Sequence, residues 1–210
     1  MTRSNVIRLS LIALFCMATV LASAPNASAV DFLFTSDHCT GTCGTAPFGT
    51  VSVTQAGANV NFVVTLNPGY SFVKTGSADF QNFKFNGTGV AVGDIVVGAH
   101  VPALVAAAGS FNGNGTGDFS FGINCPSCGN GGSGAFSAPI SFTVLNATIA
   151  DVTAPNADGN IFVADVLAPN GNTGPIDVST PPTNVPEPTS LTLLGFGILS
   201  AGLAWRKRSK

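Results

Sequence analysis

Cys39 with Cys43, and Cys125 with Cys128, are the side chains of this chain best spaced for chemistry. Cys-x3-Cys and Cys-x2-Cys, with His38 adjacent, could supply four thiolates and an imidazole to zinc. In an oxidising compartment the same four residues read first as two disulfides, with three possible connectivities. Loop-closure entropy favours stapling the two arms together, by about 1 to 2 kcal/mol over closing a tiny loop. Gly41 and the Gly-rich stretch 129–132 suggest instead two self-contained loops, and local pairing is the expectation. A redox role for Cys125-Pro126-Ser127-Cys128 would need a helix N-terminus to lower the thiol pKa. The next four residues, Gly129-Asn130-Gly131-Gly132, are poor material for a helix.

Acid–base machinery is sparse. Residues 30–185 hold two histidines, His38 and His100, and no glutamate. Gly-x-Ser-x-Gly, His-Glu-x-x-His and Gly-x-x-x-x-Gly-Lys are all missing. A calcium loop starting at Ala154 would use Asn156, Asp158, Gly159 and Asp165, but its first position fails. A hairpin turn over 156–160 is the simpler reading. No catalytic residue, metal ligand or cofactor is expected. The same stretch sets two lysines against nine aspartates, a balance that repels polyanions and excludes nucleic acid as a partner. Charged residues make up only 9% of the 210, against roughly 25% in an ordinary soluble domain.

The elements that must position these side chains read as β. Val60, Phe62, Val64 and Leu66 recur with period two, as do Phe119, Phe121 and Ile123, and Ile140, Phe142 and Val144. Val51 and Val53 flank Ser52, and Phe83 and Phe85 flank Lys84. Asn67-Pro68-Gly69, Asn86-Gly87 and the run 112–115 punctuate them as turns. The one helical candidate is 101–108, a short Ala/Val/Leu run. Together these imply an all-β fold, a β-sandwich or jelly-roll-like ectodomain over 30–179 with phenylalanine at its core positions.

The two ends differ from this middle. Six of the eight cationic residues lie in the first eight or last five positions. Arg3 and Arg8 precede an apolar run over 9–22, and Ala27-Ser28-Ala29 supplies a small-residue cleavage site. Residues 1–29 therefore read as a signal-peptide helix, passed by the Sec translocon to signal peptidase and cut after Ala29. An earlier site at Ala22-Ser23-Ala24 would leave Pro25 just after the cut, and Cys16 comes after Phe15 where a lipoprotein signal wants a small residue. Residues 180–184 read as a Pro-rich linker. Beyond Pro186-Glu187-Pro188, an uncharged run over 191–205 ends at Arg206, Lys207 and Arg208. As a helix, that run would extend ~22 Å into membrane lipid, against a hydrocarbon core of ~30 Å. The basic cluster holds its end, the tail 206–210, on the cytoplasmic side.

The tripeptide, the short Gly-containing apolar segment and the basic cluster, in that order over 185–210, resemble the PEP-CTERM sorting signal. The resemblance implies an exosortase, a membrane enzyme that recognises the tail and cleaves near the tripeptide, with the cell surface or exopolysaccharide matrix as destination. The middle also resembles ectodomains of PEP-CTERM proteins. It does so through Cys39-Thr40-Gly41-Thr42-Cys43, the run 70–76, the loop 125–132, and Phe162-Val163-Ala164-Asp165 with Gly171-Asn172-Thr173-Gly174 after it. That second resemblance bears on architecture and address alone. The expectation is an exported non-enzymatic surface or matrix protein. Its rivals are a plain type I membrane-anchored protein and a carbohydrate-binding adhesin that grips exopolysaccharide, for which only Tyr70 offers a stacking ring in the exported middle.

Overall fold

The computed structural model describes residues 28–75 and 80–179, with the backbone of 183–184. The signal peptide through Ala27, the sorting motif at Pro186, Glu187 and Pro188, the expected helix over 191–205 and the basic cluster lie outside the described residues. No helix among the described residues is long and apolar enough to cross a membrane.

The strands over 49–56, 59–66 and 140–144 keep to the period-two pattern, whereas those over 83–85, 162–167 and 173–178 are buried almost throughout. In chain order they are β1 (Ala29–Leu33), β2 (Ser36–Asp37), β3 (Gly49–Ala56), β4 (Asn59–Leu66) and β5 (Ser71–Lys74). Then come β6 (Phe83–Phe85), β7 (Ile95–Val97), β8 (Val105–Asn112), β9 (Asp118–Asn124) and β10 (Gly131–Phe136). After β11 (Ile140–Val144), a single helical turn, α1 (Ile149–Val152), precedes β12 (Phe162–Leu167), β13 (Thr173–Val178) and β14 (Thr183–Asn184). On β4, Val60, Phe62, Val64 and Leu66 are buried while Asn61, Val63 and Thr65 face out. β3 and β4 join through Gly57 and Ala58, and Gly57 takes φ 63°, the left-handed conformation such a tight hairpin requires.

Two antiparallel sheets result. The first runs β14-β1-β3-β4-β11-β7. The second runs β10-β5-β12-β6-β9-β8, with β13 and then β2 on the other side of β12. Their apolar faces meet through phenylalanine, because alternation places one ring in every two residues on the inner side. Phe32 of the first sheet meets Phe162 of the second at 5.0 Å, and Phe142 meets Phe85 at 5.2 Å. Phe62 stacks on its cross-strand neighbour Phe142 at 4.4 Å.

Two expectations are corrected. Residues 101–108 are not a helix: from Val105 onward they belong to β8, which pairs antiparallel with β9 from Val105 opposite Asn124 to Asn112 opposite Asp118. Alanine favours a helix in isolation, but small side chains also fit a sheet edge, and the β9 ladder satisfies this backbone. The turn over 156–160 does form, yet it is entered from α1 rather than from a strand, so it is not a hairpin. A third difference concerns the linker. Its last two residues, Thr183 and Asn184, pair with Asp31 and Val30 and extend the first sheet by one short strand.

Candidate functional site

The first cysteine pair sits in the loop after β2. Cys39 and Cys43 are joined to each other, with their Cα atoms 5.5 Å apart. Asp37 organises this loop: its Oδ1 accepts the backbone N–H groups of Cys39 and Cys43 at 3.3 and 3.2 Å. Asn170 and Asn172 donate their side-chain amides to the Thr42 carbonyl at 2.8 and 2.9 Å. Tyr70 donates its hydroxyl to the Cys43 carbonyl at 2.8 Å and sets its ring edge-on against Phe48. The loop is thereby tied to the β12–β13 turn. Tyr70, the one stacking ring the adhesin reading has in the exported middle, is half-buried with its polar end engaged.

Cys125 and Cys128 also pair with each other, across a turn between β9 and β10, with Cα atoms 5.4 Å apart. Asn82 holds that turn, its Oδ1 accepting the Cys125 N–H at 2.8 Å and its Nδ2 donating to the Val73 carbonyl at 2.9 Å. The pair comes after a strand and precedes a strand. It therefore lacks the helix N-terminus that tunes a redox dithiol. The carboxylate of Asp37 does lie within ligand distance of the Cys39 and Cys43 sulfurs. Those sulfurs are bonded to one another, and the carboxylate accepts two N–H groups, so the three residues together knot the loop. The remaining member of the zinc hypothesis, His38, turns away and places Nε2 3.0 Å from Asp177 Oδ2.

The calcium-loop residues also separate. Asn156 accepts the N–H groups of Asp158 and Asn160 on its own Oδ1, a local turn that the left-handed Gly159 completes. Asp165 lies beyond it on β12, buried against Lys84. Several other described aspartates bond locally. Asp31 accepts from the Ser52 hydroxyl at 2.6 Å, and Asp118 accepts from Asn112 at 3.1 Å. Asp151 Oδ2 accepts both the hydroxyl and the backbone N–H of Thr148 at the start of α1. Those two bonds, the hydroxyl's first, hold the exposed Asp151 carboxyl below its ordinary value.

An open depression of about 310 Å³ is lined by Gln55, Gly57, Ala58, Asn146, Ala147 and Thr148. Gln55 is already committed there. Its amide nitrogen faces the carbonyls of Gly57, Asn59 and Ala147, and its oxygen accepts the Ile149 N–H. The depression holds no acid, base or nucleophile poised for reaction.

What sequence reasoning missed is a charged layer on the outer side of the second sheet, beneath the loops. Lys84, Asp165 and Asp177 are each 2% exposed or less, while Lys74, at the end of β5 and two residues from the core Phe72, is buried nearby. Lys84 Nζ stands 3.3 Å from Asp165 Oδ1, while Lys74 Nζ donates to the Cys125 carbonyl at 3.0 Å. Asp165 Oδ2 further accepts the Thr75 N–H at 3.3 Å. The one signal for it was composition: the exported middle has only two lysines, and Lys84 sits between two core phenylalanines.

Residues 184–209 match the family model of the PEP-CTERM protein-sorting motif. No curated protein and no solved structure matches the chain. The matched span begins at Asn184, the last residue of β14, so motif and folded body share that residue. What the match shows is a PEP-CTERM protein-sorting motif over 184–209, at the C-terminal side of a body of two antiparallel β-sheets.

Proposed function

We propose that this is an exported, non-enzymatic protein of the cell surface or exopolysaccharide matrix, released to its destination when an exosortase cleaves near Pro186, Glu187 and Pro188. The observation that carries the reading is the sorting motif over 184–209. In this reading the Sec translocon takes residues 1–29, and signal peptidase cuts after Ala29 to leave Val30 first. The apolar run over 191–205 then lodges in the inner membrane, and Arg206, Lys207 and Arg208 stay in the cytoplasm. Two prolines in three residues keep the tripeptide extended and stop a helix from starting earlier, which suits it to a protease cleft. A jelly-roll-like β-sandwich ahead of the tail is the cargo. Most of its described aspartates, and the four cysteines 39, 43, 125 and 128, make structural contacts, which supports a role without catalysis.

Replacing Pro186, Glu187 and Pro188 together by alanine tests the reading. The apolar run and basic cluster remain, so insertion survives, while the helix gains three favourable residues upstream. The wild-type protein in the surface fraction should lack 191–210, and the triple variant should accumulate uncut in the inner membrane. Mass spectrometry of the C-terminal peptide reads both. Recovery of an intact tail from wild-type protein at the surface would overturn the proposal in favour of a plain membrane anchor.

A further inference from the structure

We propose that Lys84 and Asp165 condense into an amide, an intramolecular isopeptide bond that fastens β6 to β12 without any cofactor. The geometry points to this pair and not to Lys74. Lys84 lies opposite Val163 in the β6–β12 register, and Asp165 is two residues along on the same face of β12. That diagonal is within reach of a long side chain, and Nζ comes to 3.3 Å from Oδ1. Lys74, in contrast, directs its Nζ to a backbone carbonyl, where the leaving group would be the next residue's nitrogen and attack would cut the chain.

The surroundings are dry. The side chains of Lys84 and Asp165 are 1% and 3% exposed, and Val163 between them is fully buried. Gly122, the partner of Lys84 on β9, has no side chain, and the Gln81 side chain lies over it.

The step needs no outside reagent. An ammonium and a carboxylate have the same composition as an amine and a carboxylic acid, with one proton moved across the gap. The Nζ lone pair then attacks Asp165 Cγ, the bond from Cγ to its hydroxyl oxygen breaks, and that hydroxyl leaves with an amine proton as water. An amide and one water result, with no change in oxidation state. In bulk water the ionisation of both ends favours hydrolysis. Here burial penalises both charges, and the neutral amide removes them. The 3.3 Å contact is from Nζ to Oδ1, so Nζ must still swing from that oxygen towards Cγ, but both groups are held together on fixed strands, which raises their effective concentration. The bond would also supply what the disulfides do not. Those span four and three positions of sequence, whereas an 84–165 link joins distant strands.

The full-length wild-type chain decides the matter after reduction, denaturation and chymotrypsin digestion. The expected result is a branched peptide in which the segment carrying Lys84 is joined to that carrying Asp165, one water lighter than their sum. In the denatured protein an amine-acylating reagent should label Lys74 and spare Lys84. Asp165→Ala should give only linear peptides and a labelled Lys84. Linear Lys84 and Asp165 peptides from the wild-type chain, with Lys84 labelled, would overturn the proposal whether or not the variant folds. So would loss of one water confined to the peptide of Asp158 and Gly159, which marks an imide at that turn.

Discussion

Phe62 carries contacts in two directions. It stacks on Phe142 within its own sheet and meets Phe85 and Phe162 of the facing sheet at 5.6 and 5.9 Å. Truncating it empties the junction of the two layers, so Phe62→Ala should destabilise the body by about 3 to 5 kcal/mol. Urea unfolding should show a lower midpoint at an unchanged slope. Val63, next in sequence but 42% exposed, should tolerate alanine within about 0.5 kcal/mol. Asp151 gives a pH-dependent counterpart. Its folded pKa lies below its unfolded one, so the benefit of its Thr148 bonds is complete above the unfolded value. It is lost as pH falls through the folded value. Thr148→Ala removes the hydroxyl bond and should move the Asp151 titration up towards the ordinary carboxylate range, as read by NMR of its carboxyl carbon. Single residues were legible where alternation ruled. Phe83 and Phe85 read as core from spacing alone, but the lysine between them reads as solvent-facing by the same rule. Its burial brings it against Asp165 of β12, 81 positions away, a contact that no local pattern reveals.

Elements obey the local sequence where their side chains choose one partner. β4 and β11 have a clean apolar face and take the expected register, Phe142 opposite Phe62. β8 has alanines and a glycine, which fit a helix or a sheet edge equally, and the choice falls to β9, which no local pattern reveals. The cysteine loops were open between local and distant pairing because the deciding contacts, Asp37 and Asn82, are polar and carry no periodic signal. With both pairs closed locally, the mature protein should show no free thiol when denatured without reductant, and four after reduction. Quantitative alkylation before reduction would contradict this. Gly174 tests how tightly the first loop is docked. A Cβ there would lie 2.6 Å from Cys39 Cα and 2.8 Å from the His38 carbonyl oxygen, both backbone atoms. Gly174→Ala should therefore cost about 1 to 3 kcal/mol, measured as a shift in urea midpoint, because the loop must lift from β13.

At the scale of the whole molecule, the two ends of the body meet. Asn184 lies opposite Val30, and Thr183 opposite Asp31, at one margin of the first sheet. Deleting 180–210 should leave both sheets folded, since the phenylalanine contacts across the junction all link residues between 32 and 162. Hydrogen exchange should then show β1 losing amide protection while β4 keeps its own, and equal protection in both forms would contradict the pairing. The pairing also sets a clock. A chain exported from its N-terminus presents β1 first, but the strand that covers its outer margin arrives about 150 residues later. Until then β1 has an open side, and the last backbone partners to reach the sheet are the residues that open the sorting motif. Completion of the cargo thus comes immediately before delivery of its address. A chain truncated before Thr183 would lack both, whereas one cut between 185 and 209 would close its sheet without a complete motif.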